Sequence, residues 1–161
     1  MAESASNRSV RTNKNGVKVV TRTNKNGKKV VRKKDADGNT TSVKRKDKNG
    51  KAVTRTKDAE GKTTGVTRSN SKGKKVTRKK GNDGKTTAVS RTNAKGKTVT
   101  RRKNADGTTK AVTRTNANGT KISRNKNTGT TTRTRTNKAG RKVTVKVAAD
   151  GTKTKTKGPK K

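Results

Sequence analysis

Ten arginines recur along this chain at a fixed step, and they are the residues best placed to do chemistry. One row is Arg22, Arg45, Arg68, Arg91 and Arg114; the other is Arg32, Arg55, Arg78, Arg101 and Arg124. Each row advances by 23 residues without a slip, and Lys never replaces Arg in it, although the chain has 33 Lys against 16 Arg. A guanidinium is a rigid fork that grips phosphate oxygens two at a time, whereas an ammonium is a point charge. Positions near the rows vary freely, as in Lys51-Ala52, Lys74-Lys75 and Lys97-Thr98. Fixed Arg amid variable Lys therefore reads as an oriented row for binding anions. Shared descent by duplication is the alternative account of the regularity. Lys28, Lys33, Lys51, Lys74, Lys79, Lys97 and Lys103 are expected to assist the two rows.

The rows belong to a repeated unit of 23 residues, clearest in Asp58–Lys80. Each unit holds two Asx-x-x-Gly tetrads. Gly27, Gly50, Gly73, Gly96 and Gly119 are 23 apart, as are Gly38, Gly61, Gly84 and Gly107. Asx at the first position and Gly at the fourth favour a type I turn closed by a left-handed glycine, a common hairpin connection. Thirteen such turns, some degenerate, run from Asn13 to Gly151 at a spacing of 10–12 residues. They leave strands of about seven residues, the pattern of a regular β array. One set of turns is followed by Gly-x-x-Val-x-Arg, as in Gly73–Arg78, and the other by Gly-x-Thr-x-x-Val-x-Arg, as in Gly61–Arg68. Val and Arg two apart share one face of a strand. No apolar stripe of helical period exists, so helices are not expected.

These elements predict an all-β repeat protein, a single-layer antiparallel hairpin ribbon or meander built from 23-residue two-strand units. A β-solenoid is the alternative. It would stack Arg on Arg at about 4.8 Å with almost nothing apolar between its walls. Residues 1–12 read as a flexible arm, 13–152 as the hairpin array, and 153–161 as a basic flexible tail.

Composition sets the energetics. The formal net charge is +40, 19% of residues are hydrophobic, and none is aromatic. Burying a Val stabilises by roughly 1.5–3 kcal/mol, while ordering each backbone residue costs roughly 1–2 kcal/mol. Sparse Val and strong self-repulsion thus predict a free chain that is largely disordered, ordering with a partner.

Several functions are excluded on residue type. Cys, His and Tyr are absent and the carboxylates are confined to turns and the arm, so an enzyme is not expected. Neither cofactor nor metal is expected. Asp35-Ala36-Asp37-Gly38-Asn39 looks like the start of a calcium loop but lacks the closing Glu and flanking helices. No membrane or small-molecule partner is indicated, and no apolar leader is visible, which suggests a location inside the cell or a particle.

The turns carry one resemblance. Lys34-Asp35-Ala36-Asp37-Gly38-Asn39-Thr40-Thr41 and its copy Lys57–Thr64 are similar to the Asp-x-x-Gly-x-x-Thr hairpin of YD (Rhs-type) repeats, with Lys where those carry Tyr. The resemblance implies hairpin geometry. In charge, the chain also resembles protamine-like and virion-core proteins that condense genomes.

The expected function is nonspecific binding of nucleic acid through phosphates, with DNA placed ahead of RNA, to compact or package it. About a dozen strands would span on the order of 60 Å, and forty charges match roughly 70 Å of duplex. Without aromatics or a recognition helix, sequence reading is not expected. The expected location is with nucleic acid in a nucleus, nucleoid or virion. Three other partners remain open: an acidic protein, other copies paired edge to edge in a virion or fibre, or another polyanion such as an acidic glycan.

Overall fold

The computed structural model of this chain describes residues 7–137 and 139–159. All regular structure in them is β, in fourteen strands. They form two compact units that divide between Gly84 and Lys85. The first unit holds β1 (Asn7–Thr12), β2 (Lys18–Thr23), β3 (Lys29–Lys34), β4 (Thr40–Lys46), β5 (Ala52–Lys57), β6 (Thr63–Ser69) and β7 (Lys75–Lys80). The second holds β8 (Thr86–Thr92), β9 (Thr98–Lys103), β10 (Thr109–Thr115), β11 (Lys121–Asn125), β12 (Thr131–Thr136), β13 (Lys142–Val147) and β14 (Lys153–Lys157). Within each unit sheet order is chain order, and neighbouring strands are antiparallel. The fold is the single-layer meander, not the solenoid.

Turn chemistry sets this path. Thirteen glycines have φ between 67° and 89°, and each closes one of the thirteen turns. Around Asn24 the full pattern is visible. Gly27 N–H donates to the Asn24 carbonyl at 3.0 Å, and Asn24 N–H donates to the Lys28 carbonyl at 3.0 Å. The Asn24 Oδ1 accepts the Lys28 N–H at 2.9 Å. Asp35, Asp47 and Asp58 do the same through their carboxylates, at 2.8, 2.8 and 2.7 Å.

The two kinds of segment differ by one residue, and the register shows where it goes. Between β3 and β4, Lys33 pairs with Ser42 but Lys34 pairs with Thr40, so Thr41 is extra. Thr64 is extra between β5 and β6, and Lys110 between β9 and β10. A one-residue slip turns every later side chain to the opposite face. The bulge absorbs the odd residue, so a 23-residue repeat keeps its Val and Arg on one side.

No core lies behind this sheet. Among the described residues the buried hydrophobics are Ala52 and Val143, at 8% and 7% exposure, and no polar side chain is buried. Both ends of the array reach further than the turn spacing suggests. Asn7–Thr12, within the segment read as an arm, is β1 and pairs with β2 through Val10 opposite Val20. Lys153–Lys157, within the segment read as a tail, is β14 and pairs with β13. Residues 1–6 and 160–161 lie outside the described residues.

Candidate nucleic-acid interface

Antiparallel pairing brings the two arginine rows together. Arg22 lies opposite Val30, and Val20 opposite Arg32. Val30 then faces Arg45, and Arg32 faces Val43. The exchange continues through Arg55 with Val66 and Arg68 with Val53, then Arg68 with Val76 and Arg78 with Val66. Directly opposed residues share a face. Both rows therefore occupy one face of the first unit, as a checkerboard in which each row Arg has Val as a cross-strand neighbour; at the β1 edge Arg22 also stands opposite Arg8. The second unit repeats it: Val89 opposite Arg101, Arg91 opposite Val99, Val112 opposite Arg124, and Arg114 opposite Ile122.

Electrostatics explains why this order suits the meander. Arg residues in one column are two strands apart, on the order of 10 Å, with Val between them. Diagonal Arg neighbours such as Arg22 and Arg32 stand about 7–8 Å apart. A stacked solenoid would halve the first spacing. All ten arginines are exposed, while the Val partners are half-buried.

The lysines divide. Lys28, Lys51, Lys74 and Lys97 follow turn glycines, their backbone N–H groups held by Asn24, Asp47, Asn70 and Asn93. They stand at the hairpin ends. Lys33, opposite Val19 and Ser42, and Lys79, opposite Gly65, belong to the other face. Lys103 is on the arginine face, but its Nζ donates to the Gly107 carbonyl at 2.9 Å. The lysines that keep the two-residue period from Arg are Lys34, Lys57, Lys80 and Lys126, and sequence reading passed over them. Lys57 Nζ donates to the Gly61 carbonyl at 2.5 Å. Arg133 and Arg135 also join this face, opposite Ile122 or Val145 and Val143. They fall outside the 23-residue step, though their own spacing of two marks them.

The opposite face is held by hydroxyls. The residue between Val (or Ile122) and Arg is Thr or Ser in eight of the ten copies, with Val31 and Lys44 the exceptions. Thr67 and Thr77 share a hydrogen bond of 3.0 Å across β6 and β7. Ser90 with Thr100, and Thr113 with Ser123, meet at 2.8 and 2.9 Å. Cross-strand Thr pairs of this kind contribute roughly 0.2–1 kcal/mol each. They stabilise a sheet that has no apolar layer to rest on.

The carboxylates serve turns. Asp106 Oδ1 accepts from both the Thr108 N–H and hydroxyl, at 2.8 and 2.6 Å. The Thr108 side-chain bond first, and then its backbone bond, hold the Asp106 carboxyl below the ordinary range. Asp150 is lowered in the same way, by the Thr152 backbone bond first.

No protein family and no curated protein sequence matches this chain. Among solved structures it is similar to the SAS-4 (dCPAP) TCP domain of Drosophila melanogaster, solved in complex with a proline-rich motif of Ana2 (dSTIL). That likeness has 16% identity and a TM-score of 0.36, over 96% of this chain and 95% of that one. The G-box domain of the microcephaly protein CPAP is similar at 16% identity and a TM-score of 0.29, over 95% and 99%. The TCP10 domain of Danio rerio CPAP, solved with a peptide of Danio rerio STIL, is similar at 20% and 0.24, over 92% and 88%. At these identities and TM-scores, nothing known of those domains transfers to this chain.

Proposed function

We propose that this chain binds nucleic acid nonspecifically through phosphates and compacts it. The observation that carries the reading is the gathering of both arginine rows onto one uncovered face, at spacings fixed by strand pairing. Phosphate contacts position a protein without reading sequence. Compaction follows from the missing second layer. Each unit presents a guanidinium face and, behind it, a hydroxyl face bordered by lysines such as Lys29, Lys46 and Lys75. One sheet can therefore touch two strands of polyanion at once. Its working place would be with nucleic acid, in a nucleus, nucleoid or virion, and the free chain would be largely unfolded until its charge is neutralised.

Light scattering of duplex DNA tests this. The wild-type chain should condense it near charge equivalence. Replacing the ten row arginines by Gln should leave weak binding through the lysine face and abolish condensation. Equal condensation by that variant, at equal bound density, would overturn the reading.

A second reading rests on β1. All six of its residues are exposed and, among the described residues, it pairs with β2 alone, leaving an open edge. Open edges template pairing between chains. In that reading copies assemble edge to edge, and their charge meets an acidic protein partner. Ordered polymers in nucleic-acid-free samples, seen by sedimentation, would favour it. A monomer at all concentrations would remove it.

A further inference from the structure

The arginine face is not flat. In the first unit Arg8, Val20, Arg22, Val30, Arg32 and Lys34 surround a depression of about 370 Å³. In the second, Arg101, Val112, Arg114, Ile122, Arg124 and Lys126 surround one of about 290 Å³. The two share one construction. Two β-branched residues on adjacent strands make one diagonal, and two arginines make the other. A third Arg comes from the preceding strand, and a Lys stands two residues beyond the last Arg.

A bare anion would use only the cationic rim of such a cell. The floor asks for something else, since Ile122 is 39% exposed and Val20, Val30 and Val112 are half-covered. A fitting occupant carries a flat, weakly polar body beside its negative charge. Duplex nucleic acid turns its phosphates outward and hides its bases, so it would meet the rim and leave the floor wet. A nucleotide in a single strand offers both parts. Guanidinium planes also stack on unpaired bases. The absence of aromatics, which weighs against base stacking in the sequence, is offset here by β-branched floors between guanidiniums.

We propose that each of these cells takes one nucleotide of a single-stranded nucleic acid, with phosphate on the arginines and base against the apolar floor. This rests on the nucleic-acid reading above and sharpens it, from polyanions in general to single strands.

The test is competition measured by fluorescence anisotropy at one fixed salt concentration, with the full chain. The competitors are oligo(dT), an abasic strand with the same number of phosphates, a duplex matched in phosphates, and phosphatidylserine vesicles. Oligo(dT) should bind about tenfold or more tightly than the abasic strand, because only the bases differ. Val20→Thr, Val30→Thr, Val112→Thr and Ile122→Thr together keep β-branching and charge. That variant should bring the two strands to within about threefold while leaving the salt dependence unchanged. Equal affinity of wild type for oligo(dT) and the abasic strand would overturn the proposal and leave phosphate binding intact. Failure of every nucleic acid to bind would instead overturn the broader reading. Vesicles outcompeting oligo(dT) would assign the cells to lipid and overturn it too. If the four-fold variant fails to form β structure, the wild-type comparison of oligo(dT) with the abasic strand decides alone.

Discussion

At Arg55, one side chain lies between two valines, Val43 of β4 and Val66 of β6, and projects from the open face. Those valines hold its charge apart from Arg32 and Arg78, the next guanidiniums in its column, which favours contact with an external anion over self-repulsion. Arg55→Gln should lower the slope of log affinity against log salt by about 1, whereas Arg55→Lys should keep the slope and weaken binding only slightly. Filter binding at four salt concentrations measures both. Gly73 answers to backbone physics alone. Its φ is +75° and a Cβ there would meet nothing within 4 Å, so no clash complicates the substitution. Gly73→Ala should destabilise by roughly 1–2 kcal/mol, read from the denaturation midpoint of the β circular dichroism signal of the nucleic-acid-bound chain. Asp106 and Asp150 give the acid limit. Their folded pKa values are lowered by Thr108 and Thr152, so their stabilisation is complete above the ordinary value of 3.8. It is lost as pH falls through the lowered folded values. Carboxyl NMR titration of the nucleic-acid-bound chain should place both midpoints below 3.8, and its β structure should be insensitive to their titration from pH 5 upward.

The strands show what the sequence carried openly and what it did not. Turn positions were legible because Asx-x-x-Gly has one dominant backbone solution; the ten glycines that close such tetrads took it, as did Gly84, Gly129 and Gly151 in the degenerate turns. The arginine face was legible because Val-x-Arg imposes a period of two. The lysines were harder, since only parity from Arg tells which face they occupy: Lys33 and Lys79, expected to assist the rows, stand on the hydroxyl face, while Lys34 keeps the parity of Arg32. The hydroxyl ladder went unseen because Thr reads simply as a strand former; cross-strand pairs such as Thr67 with Thr77 and Ser90 with Thr100 give it a role. β1 was missed because Asn7–Thr12 lacks a preceding turn, although Arg8, Val10 and Thr12 alternate correctly. The bulge at Thr64 yields a sharp prediction. Deleting Thr64 should remove the bulge and leave Val66 opposite Arg55 and Arg68 opposite Val53, because Thr63 already pairs with Lys57 and Gly65 with Thr56. Hydrogen exchange of the nucleic-acid-bound chain should then keep its protection in β6, whereas deleting Thr67, which no bulge absorbs, should turn Arg68 to the other face and lose it.

For the chain as a whole, a charge of +40 acts on a sheet whose described residues include two buried hydrophobic side chains. Hydroxyl ladders and backbone pairing hold the strands, but neither offsets repulsion on this scale without counter-ions. In the function proposed above, folding and polyanion binding would be one process, with the arginine face forming as its ligand arrives. Far-UV circular dichroism of the purified chain, titrated with short duplex DNA at low and high salt, tests this most directly. The account predicts a coil spectrum that converts to β near charge equivalence and reverts in high salt. A full β spectrum without DNA, together with no DNA binding at physiological salt, would contradict it.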